Sequence, residues 1–600
     1  MASPLSLSAQ VDALLSSANL IEAWRVLNDW ERAMPGDPDV VLRQARLLRL
    51  RGRHPEAQCL LEGLVATHPL HVDALTDLAR LAREMGQITV AITWYEKALI
   101  AQPDASAWLG EWIDLLVESR ALDRAHQVAQ WLCAREPTLA DSWFRLGLVQ
   151  QYARAFPDAL QTYERAMAID PAWPMLRNNL AALHIENRDF ERARTLLEDA
   201  IREDSGNAFA WTNLATCYLR THDPEAARVA AERACALAPN YAVAQQTLSN
   251  VLKELQDWVG ARATAERAVQ CAPGDPAYLW GLAMLQLIQG DYGRGLLNHE
   301  ARWQGSPELR NNGHHIRQPQ WRGESLTGKV LFVWGEQGFG DAMQFVRFVP
   351  ALAKIVHANG GRIVYCCFAD LVPLFQRSLG PDLGEVIPHD RRPLPDFDYH
   401  LPLCSLPLAL GVLPDALPHR TAYLKADPAA VLSWRNRLRQ SGKLRVGLVW
   451  TGSRSHQRNP LRAVDAGAYA DAFGELENVD FFSLQLQAAD DVERMRQAGL
   501  PLLDYTPALA SFDDTAAFVS NLDLVITVCT SIAHLAGGLG VPTWVLLDVN
   551  PHWVWMLERD ESPWYPAARL YRQQRYREWG PVLERVRDDL RLLAQKQASR

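Results

Sequence analysis

The stretch Asn521-Leu-Asp-Leu-Val-Ile-Thr-Val-Cys-Thr-Ser-Ile-Ala-His-Leu-Ala-Gly-Gly-Leu-Gly540 decides the fold of the C-terminal half of this chain. Its residues 522–528 are apolar and rich in β-formers, which predicts a buried strand of a parallel sheet. The apolar residues then follow helical spacing, so a helix is predicted to succeed the strand. Thr530 or Ser531 suits the N-cap of this helix, and Gly540 suits its end.

The start of this predicted helix is a candidate phosphate site. The N–H groups of a first helical turn have no partner within the helix, and the helix dipole adds positive charge at the same end. A phosphate group bound there would accept hydrogen bonds from those N–H groups. The alternative is an ordinary strand-to-helix corner without a ligand.

Two earlier segments show the same succession of strand, turn and helix. Lys329–Trp334 is a predicted strand, followed by the turn Gly335-Glu-Gln-Gly-Phe-Gly-Asp341 and an amphipathic helix. Arg445–Trp450 is another, followed by the turn Thr451-Gly-Ser453. Such units are typical of parallel sheets covered by helices, which bind ligands at the carboxyl ends of their strands. Two Rossmann-like domains are therefore predicted, facing each other across a cleft.

The N-terminal half has an internal period of 34 residues. Proline recurs in one register, at Pro35, Pro69, Pro103, Pro137, Pro171, Pro239 and Pro273. Alanine recurs in a second register, at Ala23, Ala57, Ala91, Ala125, Ala159, Ala193, Ala227 and Ala261. Small residues allow two helices to approach closely, and a proline ends the helix before it. The period therefore predicts a solenoid of helix pairs.

Together these patterns predict the fold class α + α/β. An N-terminal α-solenoid of about eight helix pairs is expected over residues 9–303, and a junction over residues 304–328, where Asn311-Asn-Gly313 indicates a turn. The two Rossmann-like domains are expected over residues 329–428 and 429–600.

Composition excludes several classes of protein. The chain has 61 Lys and Arg against 70 Asp and Glu, a net charge of -9, which gives no electrostatic reason to expect nucleic acid as a partner. The nine cysteines are scattered and never spaced as a metal site or a disulfide framework. Without a leader pattern or a long apolar segment, the expected location is the cytoplasm and no membrane span is expected.

The concave face of such a solenoid is expected to hold a protein or peptide. Asn179 and Asn213 occupy one position in successive repeats, where each side chain could pair with a backbone amide of an extended peptide. The alternative is a pair of solvated asparagines, because Asp77, Glu111 and Arg145 occupy that position in other repeats.

The N-terminal period resembles the tetratricopeptide repeat, in the arrangement found in the O-linked N-acetylglucosamine transferase of eukaryotes. In the C-terminal half, a second resemblance is carried by an ordered set of segments: Gly335–Phe345, Tyr399–Pro407, Val446–Gly452, Arg462, Phe482–Gln485, Asp514–Thr515, Cys529–His534 and Ser562–Pro566. With these segments the C-terminal half resembles glycosyltransferases with two Rossmann-like domains (GT-B-like), and more narrowly the heptosyltransferase-like enzymes fused behind such repeats in bacteria.

The resemblance implies a protein glycosyltransferase. A sugar would pass from a nucleotide-sugar co-substrate to Ser or Thr hydroxyls of a protein, such as flagellin or another surface protein, by an inverting reaction without a metal or resident cofactor. A lipopolysaccharide or other glycan acceptor is an alternative within the same chemistry.

The resemblance also implies roles for individual residues. Asp341 corresponds to the general base, and its position at a helix start is expected to lower its pKa. The residues expected at the nucleotide-sugar site are Gly338, Gly340, Thr451, Gly452, Arg462, Gln485, Cys529, Thr530, Ser531 and His534. Arg462 would face the diphosphate, since a guanidinium offers forked donors to phosphate oxygens.

Cys529 departs from the pattern. Relatives usually carry an aspartate there, and a thiol is a poor substitute for a carboxylate acceptor. Either the donor differs or activity is reduced, and a scaffold with a degenerate transferase module is the alternative from another class.

Overall fold

The computed structural model describes residues 4–173, 175–309, 316–336, 338–380, 383–412, 417, 422–438, 441–454 and 456–598. The chain divides into two compact units, Met1–Thr221 and His222–Arg600. This division falls within the repeats, where the period of the sequence continues unchanged. The predicted turn Asn311–Gly313 lies outside the described residues.

The first unit consists of helices joined by short turns. They are α1 (Pro4–Ser16), α2 (Leu20–Ala33), α3 (Pro38–Leu50), α4 (His54–Thr67), α5 (Val72–Glu84), α6 (Ile88–Ala101), α7 (Leu109–Glu118), α8 (Leu122–Arg135), α9 (Ala140–Tyr152), α10 (Phe156–Ile169), α11 (Leu176–Glu186), α12 (Phe190–Glu203) and α13 (Ala208–Arg220). The first helix begins at Pro4, earlier than the predicted start at residue 9.

The alanine register explains how the two helices of a repeat pack. Each of its alanines lies in the second helix of a pair and is fully buried, as Ala91 is in α6 and Ala159 in α10. Gly147 in α9 shows the same requirement, since a Cβ atom there would lie 2.6 Å from the ring of Tyr163. The predicted helix pairs are thus confirmed.

The second unit begins with the last helices of the repeat array and continues into two parallel sheets. Its first helices are α14 (Pro224–Leu237), α15 (Ala242–Glu254), α16 (Trp258–Cys271), α17 (Pro276–Ile288), α18 (Tyr292–His299) and α19 (Arg302–Gly305). Buried contacts join these helices to the second sheet region, where the Trp564 indole N–H donates to the Tyr292 hydroxyl at 2.8 Å.

The first sheet has four parallel strands in the order β3-β2-β1-β4. Its elements are β1 (Val330–Trp334), α20 (Phe339–Phe345), α21 (Val349–Ala358), β2 (Arg362–Cys367), α22 (Val372–Leu379), β3 (Glu385–Pro388), β4 (Tyr399–Pro402) and α23 (Leu406–Ala409). All five residues of β1 are buried, as a central parallel strand requires.

The second sheet has six parallel strands in the order β10-β9-β8-β5-β6-β7. Its elements are α24 (Pro428–Arg437), β5 (Leu444–Val449), α25 (Asn459–Arg462), α26 (Ala466–Phe473), β6 (Val479–Ser483), α27 (Ala489–Gln497), β7 (Leu502–Asp504), α28 (Phe512–Val519), β8 (Leu524–Val528), α29 (Ser531–Leu539), β9 (Thr543–Leu547), β10 (Ala568–Arg572) and α30 (Gly580–Ala598).

The strand and helix predicted from residues 521–540 are β8 and α29. Thr530 is the N-cap of α29, and Gly540 ends it in the left-handed conformation with φ 77°. Within the described residues, no helix combines the length and apolar composition that crossing a membrane requires.

In the first unit, the repeat position of Asn179 and Asn213 is filled mainly by ion pairs between neighbouring helices. Arg80 joins Asp77 at 2.7 Å and Glu111 of the following repeat at 2.7 Å, while Arg145 pairs with Asp114 of the repeat before it. These ion pairs hold successive repeats together. They also give these side chains partners within the protein.

The two asparagines have partners within the protein. The Asn213 amide donates to the side-chain oxygen of Asn178 at 2.8 Å, and the Asn179 amide donates to the Tyr163 hydroxyl at 3.4 Å. Both asparagines are part-buried, so they differ from the fully solvated pair of the alternative interpretation. Peptide binding by this pair stays a prediction.

Candidate active site

A cleft of 1470 Å³ lies within the second unit, at the carboxyl ends of the strands of both sheets. It is lined by the segments that follow β1, β2 and β4 of the first sheet and β5 to β9 of the second. The order of strands reverses between β1 and β4, and again between β5 and β8. Such reversal points leave a crevice above the sheet where ligands bind. The predicted site residues from both sheets line this one cleft.

The turn between β1 and α20 carries Gly338, Gly340 and Asp341. Gly338 is the N-cap of α20, and its N–H donates to the Asp341 carboxylate at 3.3 Å. The backbone N–H of the N-cap residue is therefore satisfied by a side chain of the helix itself. A capping carboxylate is held in one place, which is useful if it also accepts a proton from a substrate.

Glu336, in the same turn, is held by a buried arginine from the end of the repeat array. Arg302 donates to both oxygens of Glu336, at 2.6 and 2.8 Å, and both side chains are fully buried. The Cys404 backbone N–H adds a third hydrogen bond to Glu336, at 2.8 Å. This network fixes the turn at Glu336, two residues before Gly338, and it makes the last repeat part of the site.

The pKa of Asp341 differs from the expectation. Burial raises the pKa of this carboxyl to about 6, with the nearby charges of Glu336 and Glu308 acting in the same direction. The hydrogen bond from the Gly338 N–H lowers the pKa but is outweighed. The prediction that the helix start lowers the pKa is therefore wrong, because loss of solvation dominates. A carboxylate of this basicity is ionised at neutral pH and can accept a proton.

Gly340 brings the start of α20 against the start of α29. A Cβ atom at Gly340 would lie 3.1 Å from the His534 ring and 3.7 Å from the Cα of Ser531. A larger residue would push the two helices apart. The glycine thus places Asp341 and the predicted phosphate site on neighbouring parts of the cleft.

The turn after β5 is fixed by side-chain amides. The Thr451 N–H donates to Gln485 at 3.1 Å, and the Gly452 N–H donates to Asn459 at 2.8 Å. Asn459 in turn donates to the Thr451 hydroxyl at 2.9 Å. A Cβ atom at Gly452 would lie 2.2 Å from the Arg462 guanidinium, so the glycine makes room for this cation.

Arg462 is a cation of the cleft without a carboxylate partner among the described residues. Its guanidinium donates to the Cys529 carbonyl at 3.1 Å and lies 3.4 Å from the Asn459 side-chain oxygen. Arg458, by contrast, is paired with Glu254 of α15 and with Asp548 at 2.7 Å. The charge of Arg462 is thus available to an anionic ligand.

Thr530 and Ser531 form the start of α29 at the cleft. The Thr530 hydroxyl lies 3.1 Å from that of Thr527, and no described side chain caps the helix. The first-turn N–H groups are therefore left for a ligand. With the positive end of the helix dipole, they suit a phosphate group.

Cys529 and His534 are held by aromatic residues. The Trp555 indole N–H donates to the Cys529 sulfur at 3.1 Å, and burial raises the pKa of this thiol. His534 is hydrogen-bonded through Nδ1 to the Tyr565 hydroxyl at 2.7 Å. Burial lowers the pKa of His534 to about 3, so its imidazole is neutral and can offer only hydrogen bonds to a ligand.

A further histidine of the cleft, His552, lies near Arg462. Burial lowers the pKa of His552 to about 4, and the neighbouring His456 and Arg462 contribute in the same direction. Opposite charge raises the pKa of such a group, so an anion bound between them would favour protonation of His552.

Sequence reasoning missed several residues that hold the site together. These are Glu254, Arg302, Glu336, Arg458, Asn459, His552 and Asp548. Only Asn459 had a usable signal, because it lies three residues before Arg462 and therefore on the same face of a helix. The others pair across distant segments. No group of three metal-binding side chains occurs in the described parts of the chain.

Comparison with known proteins identifies the repeats. Two tetratricopeptide repeat models match residues 42–106 and 184–234. A tetratricopeptide repeat protein from Parabacteroides merdae has a similar structure, with a TM-score of 0.34 and 16% identity, covering 41% of this chain and 98% of that protein.

Two curated proteins are distantly similar. Protein FlbA from Caulobacter vibrioides is 28% identical over 348 residues, which are 53% of this chain and 56% of FlbA. Protein O-mannosyl-transferase TMTC1 from Mus musculus is 24% identical over 164 residues, 27% of this chain and 17% of TMTC1. The chain thus matches about half of the length of one relative and a small part of the other. The N-terminal region of this chain is a tetratricopeptide repeat solenoid, followed by parallel sheets with helices.

Proposed function

We propose that this chain is a glycosyltransferase that moves a sugar from a nucleotide-sugar donor to a Ser or Thr hydroxyl of a protein acceptor. The observation that carries the proposal is the position of Arg462, an arginine without a carboxylate partner among the described residues, in one cleft with the uncapped start of α29 and the carboxylate of Asp341. An anion-binding group and a base are the two parts that such a transfer needs.

The diphosphate of the donor fits the second-sheet side of the cleft. Arg462 offers its guanidinium, and Thr530 and Ser531 offer hydroxyls and first-turn N–H groups. Charge-assisted hydrogen bonds of this kind are short and strong, and they stabilise the negative charge that develops on a leaving diphosphate. These groups supply positive charge from the protein itself, which supports transfer without a metal.

Asp341 fits the role of the base. It would take the proton of the acceptor hydroxyl while the hydroxyl oxygen attacks the anomeric carbon. The bond between that carbon and the diphosphate oxygen breaks, and the electron pair leaves with the diphosphate. Direct attack from the side opposite the leaving group inverts the anomeric configuration. The pKa of about 6 supports this role, since the ionised base is abundant at neutral pH.

The architecture supports the same proposal. Two parallel sheets whose carboxyl ends meet at one cleft fit a pair of Rossmann-like domains of the GT-B type, over residues 329–428 on the acceptor side and 429–600 on the donor side. The name of TMTC1 describes an O-mannosyl-transferase, which agrees with a glycosyltransferase linked to repeats. A cytoplasmic location is part of the proposal, supported by nine cysteines in the free form.

The test is calorimetry of the purified chain with UDP, ADP, GDP and dTDP, first without metal and then with magnesium. Tight binding of one nucleotide without metal is expected. Arg462→Ala should weaken it about 10- to 100-fold, as loss of charge-assisted hydrogen bonds does. Arg362→Ala, at the exposed start of β2, is the matched control and should leave binding unchanged.

A scaffold with an inactive transferase module is the second candidate. Cys529 favours it, because the thiol stands where relatives carry a carboxylate and its sulfur is engaged by Trp555. Failure of every nucleotide to bind at millimolar concentration would favour the scaffold and contradict the transferase.

A further inference from the structure

A carboxylate of the repeat array reaches the wall of the cleft. Glu254 is the last residue of α15, and its side chain is almost fully buried. The negative end of the helix dipole lies there, so neither the helix nor the surroundings favour an unpaired carboxylate. The partners of Glu254 come from outside the repeats: both of its oxygens accept hydrogen bonds from the Arg458 guanidinium, and the Asn550 amide donates to it at 2.8 Å. Glu254 is therefore stabilised by the second-sheet region rather than by its own helix.

Arg458 lies between this carboxylate and a second one. Its guanidinium donates to Asp548, the residue that follows β9, at 2.7 Å, and its side chain lines the cleft. The two carboxylates belong to different parts of the chain, so together they fix the guanidinium in one orientation. Arg458 is thus a structural link between α15 and the second sheet.

The backbone of Arg458 begins the helix that carries Arg462. Arg458 is the N-cap of α25, and its carbonyl accepts hydrogen bonds from the Leu461 and Arg462 N–H groups at 3.0 and 3.2 Å. Asn459, the next residue, accepts from the Gly452 N–H and lies 3.4 Å from the Arg462 Nε. With only four residues, α25 has little stability of its own. The position of Arg462 therefore depends on where Arg458 is held.

Further contacts hold the end of α15 against the second-sheet region. The Gln256 amide donates to the Gln573 carbonyl at 3.4 Å. The His222 Nδ1 lies 3.3 Å from the Tyr576 hydroxyl. Because these contacts fix the end of the helix independently, a shorter side chain at position 254 should displace the guanidinium rather than the helix.

We infer that Glu254 is a positioning residue of the anion site, which acts through Arg458 to set where Arg462 meets the phosphate groups of a ligand. This inference rests on the proposed function and adds that the repeat array takes part in donor binding. Since the negative charge of Glu254 is used by Arg458, the length of the side chain, rather than its charge alone, should govern ligand binding.

The experiment compares two substitutions of Glu254 in the full chain. Glu254→Asp keeps the charge but is one methylene shorter, so its carboxylate cannot bond the guanidinium in its present position. Glu254→Gln keeps the length and an acceptor for the guanidinium. Calorimetry with whichever of UDP, ADP, GDP and dTDP binds the unaltered chain should show about fivefold weaker binding in Glu254→Asp, and a change below about twofold in Glu254→Gln. The opposite order, or tighter binding by either variant, would overturn the inference.

Two controls separate positioning from a general loss of stability. The free nucleoside carries no phosphate, so its affinity should be the same in the unaltered chain and both variants. Glu266→Asp makes the same change in α16, where the carboxylate pairs with Arg262 inside the repeats, and should leave nucleotide affinity unchanged. Weaker nucleotide binding in Glu266→Asp, or an equal loss for the nucleoside, would contradict the positioning role.

A double variant tests the route through Arg458. Arg458→Lys keeps a positive charge but loses the forked donors that bond both carboxylates. Adding Glu254→Asp to Arg458→Lys should cause no further loss of nucleotide affinity, because both changes break the same contact. Additive losses would mean that Glu254 does not act through Arg458, and the inference would be wrong.

Inorganic pyrophosphate separates this inference from the proposed function, because it probes the anion site without a base or a sugar. If Glu254→Asp weakens pyrophosphate binding but no nucleotide binds, the transferase is wrong and the inference stands. If a nucleotide binds and is weakened by Arg462→Ala but not by Glu254→Asp, the inference is wrong and the transferase stands. Binding of neither ligand to the unaltered chain would contradict both.

Discussion

Two strand-to-helix turns meet in the cleft, and they differ in the side chains that their first helical turns carry. At α20 the Gly338 N–H donates to the carboxylate of Asp341. At α29 the N-cap is Thr530, and no described side chain bonds the first turn. One turn therefore presents a base, and the other presents donors for an anion. Asp341 is the third residue of α20, whereas Ala533 is the third residue of α29, so only the first helix carries a carboxylate there.

The arginines beside the two turns differ in the same sense. Arg302 is fully buried and bonded to Glu336 by two hydrogen bonds, so its charge is used to hold the first turn. Arg462 contacts a backbone carbonyl and a side-chain oxygen, so its charge remains for a ligand. A structural arginine and a binding arginine can thus be told apart by their acidic partners.

The largest effect should follow from removing the base. Asp341→Asn keeps an acceptor for the Gly338 N–H, so the turn should keep its shape while losing its proton acceptor. We expect kcat to fall about 100- to 10,000-fold in a transfer assay with the donor identified by calorimetry. The unaltered chain should lose activity as pH falls through about 6, where Asp341 takes up a proton.

Nucleotide binding provides the control for this variant. Asp341→Asn should bind the donor nucleotide about as tightly as the unaltered chain, since Asp341 lies on the other side of the cleft. A variant that retains full transfer activity would show that another group is the base.

Removing the structural arginine, Arg302, should have the next largest effect. Arg302→Met leaves Glu336 buried without its cation, and the free energy of unfolding of the second unit should fall by about 3–5 kcal/mol. Arg462→Met should change it by less than about 1 kcal/mol, because no ion pair is lost. Chemical denaturation, monitored by tryptophan fluorescence, measures the free energy of unfolding of both variants.

A double variant tests whether the charge of Glu336 is the cause. Arg302→Met with Glu336→Gln removes the fully buried uncompensated charge, leaves only the partly exposed Glu300 without its cation, and should recover much of the lost stability. Equal destabilisation by the single and the double variant would mean that packing of Arg302, rather than its charge, holds the turn.

A carboxylate at the N-cap of α29 should weaken the anion site. Thr530→Asp places a carboxylate at the N-cap of α29, where it would bond the first-turn N–H groups and repel a diphosphate. Nucleotide affinity should fall about tenfold or more. Thr530→Ser keeps the hydroxyl and should bind nearly normally, and unchanged affinity in Thr530→Asp would place the diphosphate elsewhere in the cleft.

The smallest effect concerns His552. Its pKa is about 4 without a ligand, and a bound diphosphate should raise that pKa, so binding takes up protons. Nucleotide affinity should therefore increase as pH falls from 7 to 5, by about two- to fivefold more than in His552→Asn. Nucleotide affinity is measured for the unaltered chain and for His552→Asn between pH 7 and pH 5, and the difference between them is the contribution of His552. The same pH dependence in both proteins would exclude such a contribution.

Much of the site was predictable because its residues follow the ends of strands. Gly338 and Gly452 lie in turns that the sequence marks with small residues, Asp341 and Ser531 lie in the first turns of the helices α20 and α29, and parallel strands bring such turns to one edge. Arg462, at the end of α25, was predicted only through the resemblance. The pKa of Asp341 was mispredicted because the helix start was visible in the sequence and the burial was not. The role assigned to each of these residues remains a prediction until the experiments above are done.

The sequence by itself determined the repeat period, the central strands β1, β5 and β8 and the position of α29, because spacing of apolar and small residues reports local structure. Tertiary structure alone decided which charges are cancelled. Packing between distant segments brings together Arg302 with Glu336, and Arg458 with Glu254. The sequence around each arginine does not indicate which carboxylate it will pair with. The uncancelled charge of Arg462, on which the proposed function depends, is what remains after those pairings.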